Sequence, residues 1–456
     1  MNTEALYQIY LTHPEVTTDS RRCPKGSMFF ALKGANFNGN AFAHKAIEAG
    51  CAVAVIDEAD YAPADDERYI LVPDVLQALQ QLAAYHRQQF RKPVIQITGT
   101  NGKTTTKELV AAVLSERFQV LYTKGNLNNH IGVPLTLLRL RDTHDIAVIE
   151  TGANHPGEIA TLTDIVRPDY GLITNVGHAH IEGFGSFEGV KRTKGELYDY
   201  LLHTDGTHIF VNTANPVLTG MLEERGVHLK ATACGMGMLA TDGTMKVAVE
   251  GGVQTCNPFV SIWWRRTDAQ ASGSETECHE VQTQLVGAYN LDNLLAASCV
   301  GLQFGVDEAA ICHALHTYHP GLGRSEYRKT AHNELIIDAY NANLTSMHVA
   351  LENFKLIDGK HKMLILGDMK ELGADSASAH QQILSEALAC GAEEVWLVGD
   401  QFAQAATLHE PTDGRIRLFT DVDAVLADLQ AAPKEGFMVL IKGSNSMHLA
   451  KTVEGM

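Results

Sequence analysis

The feature that most constrains the fold of this chain is an apolar strand that runs into a glycine-containing loop and then a helix. Residues 94–98 are mostly apolar, Gly99 and Gly102 follow, and the apolar spacing predicts a helix over residues 107–116. A strand, loop and helix joined this way direct successive backbone N–H groups and a helix N-terminus towards one point. The stretch therefore predicts an anion site on an α/β fold.

The side chains of this loop indicate that the bound anion is a phosphate. Lys103 contributes a positive charge, and Thr104 contributes a hydroxyl that suits a metal ion. The usual phosphate-loop pattern requires a glycine where this chain has Ile97, so the loop is the shortened form G-x-x-G-K-T. We predict a nucleoside triphosphate site with the following loop contacts: Gly99, Thr100, Asn101, Gly102, Lys103, Thr104 and Thr105.

Length and composition narrow the class of protein. A chain of 456 residues is too long for a single core, and about three domains are expected. The formal net charge of −18 argues against nucleic acid as the main partner. The 8 cysteines show no C-x-x-C spacing, as expected for free thiols in a reducing compartment. Because neither a signal peptide nor an apolar run of roughly 18 residues is present, we expect a cytoplasmic protein without a membrane span.

Strands alternate with helices along most of the chain, which predicts an α/β class with three units. The first is a small α/β unit over residues 1–92, with strands at 28–32, 52–56 and 69–72 and helices at 41–49 and 75–90. Its polar loops at 18–21 and 33–40 can be ordinary turns or ligand loops. The second unit, 93–318, has a mostly parallel sheet with strands at 146–149, 171–174 and 208–211.

Towards the end of the second unit the pattern changes from alternating strands and helices to consecutive strands. Residues 245–249, 258–264 and 281–285 resemble antiparallel strands, and the polar run 268–277 between the last two is expected to be a mobile loop. Helices are predicted at 291–302 and 307–315. The third unit, 319–456, is Rossmann-like but lacks G-x-G-x-x-G, with strands at 335–337, 363–366, 395–398 and 438–441.

Three further positions suggest metal chemistry. Glu150 ends a strand beside the phosphate loop, where P-loop ATPases place a metal-binding carboxylate. His178 and His180 follow the next strand, and we favour His180 as the functional one. Lys194 lies in a helical pattern and, by composition, would face solvent; an ammonium group has no lone pair with which to bind a cation.

The motifs together resemble the Mur ligase family, the ATP-dependent amide-forming enzymes of peptidoglycan precursor synthesis. The resemblance extends over essentially the whole chain. It rests on the phosphate loop and on residues 126–134 (NLNNHIGVP), 150–154 (ETGAN) and 194–196 (KGE). Three C-terminal stretches resemble, within that family, the member that adds D-alanyl-D-alanine to UDP-N-acetylmuramoyl-tripeptide: residues 338–343 (DAYNAN), 366–373 (LGDMKELG) and 442–447 (KGSNSM). The D-N-P-R motif of the diaminopimelate-adding member is absent.

This resemblance implies roles for individual residues. Lys103 and Thr104 would hold the phosphates and one Mg²⁺ together with Glu150, and His180 with a carbamylated Lys194 would support a second Mg²⁺. Nucleotide contacts would also come from Asn290, Asn293, Arg324 and Asp338. The UDP precursor would contact Asp19, Ser20, Arg21, Lys33, Asn38, Asn126, Asn128 and Asn129. The amine substrate would contact Asn341, Asn343 and Ser346.

The first unit would then be a UDP-binding domain, the second the ATPase domain and the third the amine-substrate domain of a monomer. The chain departs from the family pattern at five positions, which affects contacts to uracil, adenine and dipeptide: Tyr289, Asn38, Asn40, Leu344 and Asn445. Two other functions are compatible with the phosphate loop, namely a folylpolyglutamate synthase of the same superfamily and a regulatory P-loop NTPase.

Overall fold

The computed structural model describes residues 1–177, 181–229, 235–267, 277–321, 323–408 and 414–456. The chain forms three α/β units, each built on its own main sheet, with 4, 9 and 6 strands in chain order. The α/β class predicted from the sequence is confirmed. Among the described helices, none has the length and apolar character needed to cross a membrane.

The first sheet is parallel throughout, in the order β1-β2-β5-β6. A two-stranded hairpin, β3–β4, occupies the loop predicted over residues 33–40. The helix α1 was not predicted. The elements of this unit are α1 Thr3–Thr12, β1 Val16–Thr17, β2 Met28–Phe30, β3 Lys33–Gly34, β4 Phe37–Asn38, α2 Ala43–Glu48, β5 Val53–Ile56, β6 Tyr69–Leu71 and α3 Val75–Gln89.

The second sheet begins as a parallel sheet in which the phosphate-loop strand β7 lies between β9 and β10. Both β7 and β9 are buried along their whole length, which explains why they are nearly continuous apolar runs. The elements are β7 Val94–Thr98, α4 Lys103–Ser115, β8 Val120–Tyr122, α5 Gly132–Leu137, β9 Ile146–Glu150, α6 Glu158–Val166, β10 Tyr170–Ile173, α7 Ile181–Phe184, α8 Phe187–Leu202, β11 His208–Asn212 and α9 Pro216–Glu223.

The predicted antiparallel strands extend this same sheet rather than forming a separate one. The strand β12 pairs with β11, and β13, β14 and β15 follow in antiparallel order to the edge. Of the predicted mobile loop 268–277, residues 268–276 lie outside the described part of the chain. The elements are β12 Met236–Ala240, β13 Met245–Cys256, β14 Phe259–Arg266, β15 His279–Val286, α10 Leu291–Gln303 and α11 Glu308–Thr317.

The third sheet has the order β16-β17-β21-β18-β19-β20, and only the edge strand β16 is antiparallel. The strands β8, β12, β16 and β20 were not predicted. The elements are β16 Glu326–Lys329, β17 Glu334–Asp338, α12 Leu344–Leu356, β18 His361–Gly367, α13 Ser376–Ala389, β19 Glu394–Val398, α14 Asp400–Thr407, β20 Ile416–Phe419, α15 Val422–Ala431 and β21 Phe437–Lys442.

Candidate active site

A cavity of about 1060 Å³ lies between the second and third units. Its walls come from residues at the carboxyl ends of β7, β9 and β10 on one side and of β17 and β21 on the other. Parallel α/β sheets bind their ligands at this end of the strands. The cavity therefore combines the edges of two sheets that belong to different units.

The phosphate loop enters this cavity in a conformation that requires its two glycines. Gly99 has φ +145°, and a Cβ there would lie 2.0 Å from the Thr174 hydroxyl oxygen. Gly102 has φ +78°, and a Cβ there would lie 2.7 Å from Asn293 Oδ1. A positive φ and close neighbours both exclude a side chain at these positions.

The helix after the loop begins four residues earlier than predicted. Helix α4 starts at Lys103 rather than Lys107, directly after the positive φ of Gly102, and no side chain caps it. The backbone N–H groups of Thr100 and Asn101 are already bonded to Asn175, at 2.9 and 3.0 Å. The N–H groups available to an anion are thus those of the first turn of α4.

Lys103 lies folded against the loop that precedes it. Its Nζ donates to the carbonyl oxygens of Gly99 and Thr100, at 2.8 and 2.9 Å. Burial, opposed by the negative charge of Glu150 and assisted by the positive charge of Arg324, lowers the pKa of this ammonium to about 8. The positive charge that would meet a phosphate therefore lies close to a second cation, Arg324.

Glu150 has the environment of a metal ligand. Its carboxylate is fully buried, and Oε1 accepts hydrogen bonds from Thr104 Oγ1 at 3.1 Å and Asn128 Nδ2 at 2.7 Å. Its Oε2 is buried and has no hydrogen-bond partner. A buried anionic oxygen without a partner is costly unless a cation satisfies it. A hard divalent cation such as Mg²⁺ fits this pair of Glu150 and Thr104.

The two asparagines predicted to lie near the nucleotide line the cavity and support the loop. Asn293 Oδ1 accepts from Thr106 Oγ1 at 2.9 Å, and Asn293 Nδ2 donates to Asn290 Oδ1 at 2.9 Å. Asn290 in turn donates to the Val286 carbonyl oxygen at 3.0 Å. This chain of amides connects the end of β15 to the first turns of α4.

The wall from the third unit is strongly charged. Arg324 lies 3.7 Å from the centroid of the Tyr340 ring, and its buried Nε has no hydrogen-bond partner. Asp338 Oδ2 accepts from Lys442 Nζ at 2.5 Å, and its Oδ1 accepts from the Ser325 N–H at 3.2 Å. Arg324 and Asp338 are two of the nucleotide contacts that the sequence resemblance predicts, and both line the cavity.

Lys442 was missed as a site residue. It ends the apolar strand β21 directly opposite Asp338 on β17, and it is only 2% exposed. Its signal in the sequence was a lysine that closes a buried strand. That signal identifies a site residue only when the neighbouring strand, 104 residues away, is known to end in an aspartate.

Comparison with known proteins identifies the family. The sequence profiles of the Mur ligase family catalytic domain, the Mur ligase middle domain and the Mur ligase glutamate ligase domain match residues 14–87, 97–301 and 323–445. A UDP-N-acetylmuramoyl-tripeptide–D-alanyl-D-alanine ligase of Escherichia coli is 35% identical, covering 98% of this chain and 94% of its own. The corresponding ligase of Bacillus subtilis is 33% identical, covering 97% and 92%.

The chain belongs to the Mur ligase family. It is therefore an ATP-dependent ligase. A crystal structure of MurF from Acinetobacter baumannii is similar over 99% of this chain and 98% of its own, with 28% identity and a TM-score of 0.80. The structure of MurF ligase from Thermotoga maritima in complex with ADP covers 98% and 97% with a TM-score of 0.74, and at 23% identity that likeness concerns the fold.

The lysine that the sequence resemblance predicts as a metal ligand is not at the surface. Lys194 lies on α8 and is 2% exposed, with its Nζ 5.7 Å from the centroid of the Phe184 ring. The expectation from composition alone, a solvent-facing lysine, is wrong. Burial lowers the pKa of Lys194 to about 7, and the nearby charge of Lys103 adds to the shift. The shift favours the uncharged amine. His178 and His180 lie outside the described residues.

The predicted precursor contacts fall in two places. The carboxylate of Asp19 holds the exposed Arg21 guanidinium at 2.9 Å, and Lys33 forms ion pairs with Asp57 and Glu58 at 2.9 and 2.7 Å. Neither group lines the cavity described above, and Ser20 and Asn38 lie with them in the first unit. The other predicted precursor residues line the cavity: Asn126, Asn128 and Asn129.

The residues predicted to bind the amine lie around the start of α12. Asn341 and Ser346 line the cavity. Asn343 and Ser346 form a capping box, in which Asn343 Oδ1 accepts from the Ser346 N–H at 2.8 Å. Asn343 Nδ2 donates to Asn101 Oδ1 at 2.9 Å, so this asparagine bridges the third unit to the phosphate loop.

Proposed function

We propose that this chain adds D-alanyl-D-alanine to UDP-N-acetylmuramoyl-tripeptide at the expense of ATP, through an acyl-phosphate intermediate. The observation that carries the proposal is the similarity over nearly the whole chain to ligases named for that reaction, at 35% and 33% identity. The cavity between the phosphate loop and the third unit supports it, because an ATP site and a second substrate site can meet there.

The chemistry follows from the weak electrophilicity of a carboxylate. A terminal carboxylate oxygen of the tripeptide attacks the γ-phosphorus of ATP, and the bond to the β-phosphate oxygen breaks to release ADP. The free amine of the dipeptide then attacks the acyl carbon and expels inorganic phosphate, and the amine proton passes to solvent or a base. A closed cavity protects the acyl phosphate from water.

The phosphate loop supplies the electrostatic part of this reaction. The first-turn N–H groups of α4 and the Lys103 ammonium would hold the β- and γ-phosphates, where negative charge spreads during transfer. Lys103 would leave its two loop carbonyls to meet the phosphate. Arg324, whose buried Nε lacks a partner, would bind the nucleotide from the third unit, with Asp338 beside it.

Glu150 and Thr104 would hold one Mg²⁺, which supplies charge neutralisation on the phosphates when bound. The unpartnered Glu150 Oε2 supports this assignment. For a second Mg²⁺ we propose His180 and a carbamylated Lys194. Carbamylation joins the lysine amine to CO₂ with loss of a proton and needs the uncharged amine, which the buried Lys194 provides.

The remaining assignments divide the substrates among the units. We propose that residues 1–92 bind the UDP precursor, 93–318 bind ATP and 319–456 bind the amine, with precursor contacts at Asp19, Ser20, Arg21, Lys33, Asn38, Asn126, Asn128 and Asn129 and amine contacts at Asn341, Asn343 and Ser346. The enzyme would act in the cytoplasm, where ATP and nucleotide-linked precursors are found. It would act as a monomer, and size-exclusion chromatography with light scattering tests that oligomeric state.

Product mass spectrometry tests the proposed reaction. The protein is incubated with ATP, Mg²⁺, D-alanyl-D-alanine and a tripeptide precursor whose third residue is either lysine or diaminopimelate. We expect a pentapeptide product with one precursor or both, and one ADP per amide formed. ATP turnover that needs neither precursor nor amine would contradict the proposal and favour a regulatory NTPase. Ligation of glutamate to a folate instead would favour a folylpolyglutamate synthase.

A further inference from the structure

Tyr289 and Ser325 form a hydrogen bond between the second and third units at the edge of the cavity. The two hydroxyl oxygens are 2.6 Å apart, and burial raises the pKa of the Tyr289 phenol, so it stays protonated. Tyr289 precedes the nucleotide-side residue Asn290, and Ser325 follows Arg324. The bond therefore connects two segments that both line the cavity.

The backbone at Ser325 has to be held in place. Its φ is +51°, a left-handed conformation that is strained for a residue with a Cβ. Two contacts stabilise it: the Tyr289 hydroxyl at its side chain, and Asp338 Oδ1, which accepts its N–H at 3.2 Å. Asp338 is fixed in turn by the buried Lys442 ammonium at 2.5 Å.

The residue that this arrangement presents is Arg324. Its guanidinium is stacked on the Tyr340 ring, and its buried Nε has no hydrogen-bond partner. Its positive charge helps to lower the pKa of Lys103 in the phosphate loop. A buried guanidinium N–H without an acceptor is a donor directed at a ligand that the protein itself does not supply. Because Arg324 immediately precedes Ser325, its direction depends on the left-handed turn at Ser325.

We propose that Tyr289 is a positioning residue: through Ser325 it holds the left-handed turn that directs the Arg324 guanidinium at the nucleotide phosphates or ribose. The Tyr289 hydroxyl acts through its bond to Ser325. Lys442 acts from the other side of the same turn, through Asp338. This inference rests on the proposed nucleotide role of Arg324 and adds the residues that give Arg324 its orientation.

The test measures ADP binding in the presence of Mg²⁺ by calorimetry, and separately the binding of the UDP-tripeptide precursor. Tyr289→Phe keeps the ring and removes only the hydroxyl, and Ser325→Ala removes its partner. We expect each to raise the Kd for ADP about threefold to tenfold, as loss of one neutral hydrogen bond does. Since both changes remove the same bond, the double variant should raise the Kd for ADP by no more than about tenfold. The precursor Kd should stay within about twofold.

A matched control exists elsewhere in the chain. The Tyr10 hydroxyl donates to the Leu138 carbonyl oxygen, also at 2.6 Å and also between two units, but away from the cavity. Tyr10→Phe should lower the melting temperature without changing the Kd for ADP. This control separates a general loss of packing from the positioning of Arg324.

Arg324→Ala distinguishes the two ways in which the inference can fail. If Arg324→Ala weakens ADP binding tenfold or more while Tyr289→Phe and Ser325→Ala leave it unchanged, the positioning role is wrong and the proposed role of Arg324 stands. If Arg324→Ala leaves the Kd for ADP unchanged, the nucleotide role of Arg324 is wrong and the inference falls with it. Additive losses in the double variant would also contradict the shared bond.

Discussion

The three units meet at two joints that are built from different chemistry. At the first joint, between residues 1–92 and the second unit, one continuous apolar core crosses the boundary. It includes Leu79 and Leu82 of α3 on one side and Leu137 of α5 on the other, all fully buried. Hydrogen bonds reinforce it, such as those from Arg87 to the Val166 and Arg167 carbonyl oxygens, at 2.9 and 2.8 Å.

The second joint, between the second and third units, is mostly polar. Side-chain hydrogen bonds cross it at Asn101–Asn343, Tyr289–Ser325 and Asn257–Asp358, the last at 2.5 Å. Apolar contact is provided by Val286, which packs in the core of the third unit, and by the Phe259 and Tyr327 rings, 5.1 Å apart.

This difference in chemistry predicts that the two joints differ in mobility. An apolar core of this kind is lost only at the expense of roughly 25 cal/mol for each Å² exposed, so the first joint should stay closed. Polar interfaces within a chain resemble transient contacts and permit relative motion of the units. We infer that the second joint opens to admit substrates and closes around the reaction.

The largest expected effect comes from the chemistry inside the second joint. Lys103→Ala should reduce ligation about 10²- to 10³-fold or more, because it removes a preorganised charge from the transferring phosphoryl group. The Kd for the UDP precursor should change less than twofold, since that ligand is assigned mainly to the first unit. Steady-state rates and calorimetry measure the two quantities. An equal loss of precursor affinity would contradict the division between the units.

Variants of Lys194 test the proposal that a carbamylated lysine in the second unit holds a second Mg²⁺. Lys194→Ala and Lys194→Arg should each lose about 10²-fold in rate, because neither side chain carbamylates and loss of groups at a metal site has effects of this size. Small carboxylic acids should restore part of the activity of the Ala variant and none of the Arg variant.

The control for Lys194 is Arg192→Ala, an exposed position on the same helix that should stay near wild-type activity. The wild-type enzyme should also lose activity when CO₂ is removed. That loss should be greatest below the Lys194 pKa of about 7, where the protonated amine resists carbamylation, and smaller as the pH rises through it. A Lys194→Arg variant with near-normal turnover would exclude the carbamate.

Leu137→Ala tests the first joint. It removes a fully buried side chain from the shared apolar core and should lower the free energy of unfolding by about 2–5 kcal/mol. The Kd for ADP should be unchanged at temperatures where the protein stays folded. Urea unfolding and calorimetry measure the two effects. A loss below about 1 kcal/mol would show that the core does not bind the first two units together.

The smallest effect is expected at the asparagine that bridges the second joint. Asn343→Ser keeps an oxygen that can cap α12 but is too short to reach Asn101, so ligation should fall about twofold to tenfold with little change in stability. Asn343→Ala should lose the cap as well, at about 1 kcal/mol of stability. Activity assays and thermal unfolding separate the two roles. Wild-type activity in Asn343→Ser, with loss only in Asn343→Ala, would assign Asn343 to capping alone.

Local patterns predicted the parts of the site that lie at the ends of buried strands. The phosphate loop and Glu150 were recognisable because parallel strands are apolar runs that end in polar residues at one edge of the sheet. The start of α4 was misplaced because Gly102, with its positive φ, allows the helix to begin at once. The burial of Lys194 depends on how α8 packs, which its helical spacing does not reveal.

The contacts between units could not be predicted from the sequence, because their partners are far apart in the chain. Asn101 and Asn343 are separated by 242 residues, and Asn257 and Asp358 by 101. Tyr289 was noted only as a departure from the family pattern. Its role required the position of Ser325, which depends on how the third unit is oriented against the second.

Transfer of an isotopic label tests most directly the central claim, that the tripeptide carboxylate is activated as an acyl phosphate. The UDP-tripeptide is prepared with ¹⁸O in its terminal carboxylate and incubated with ATP, Mg²⁺ and D-alanyl-D-alanine, and the inorganic phosphate is analysed by mass spectrometry. The account predicts that one carboxylate oxygen appears in phosphate for every amide formed. Amide formation without ¹⁸O in the phosphate would contradict it.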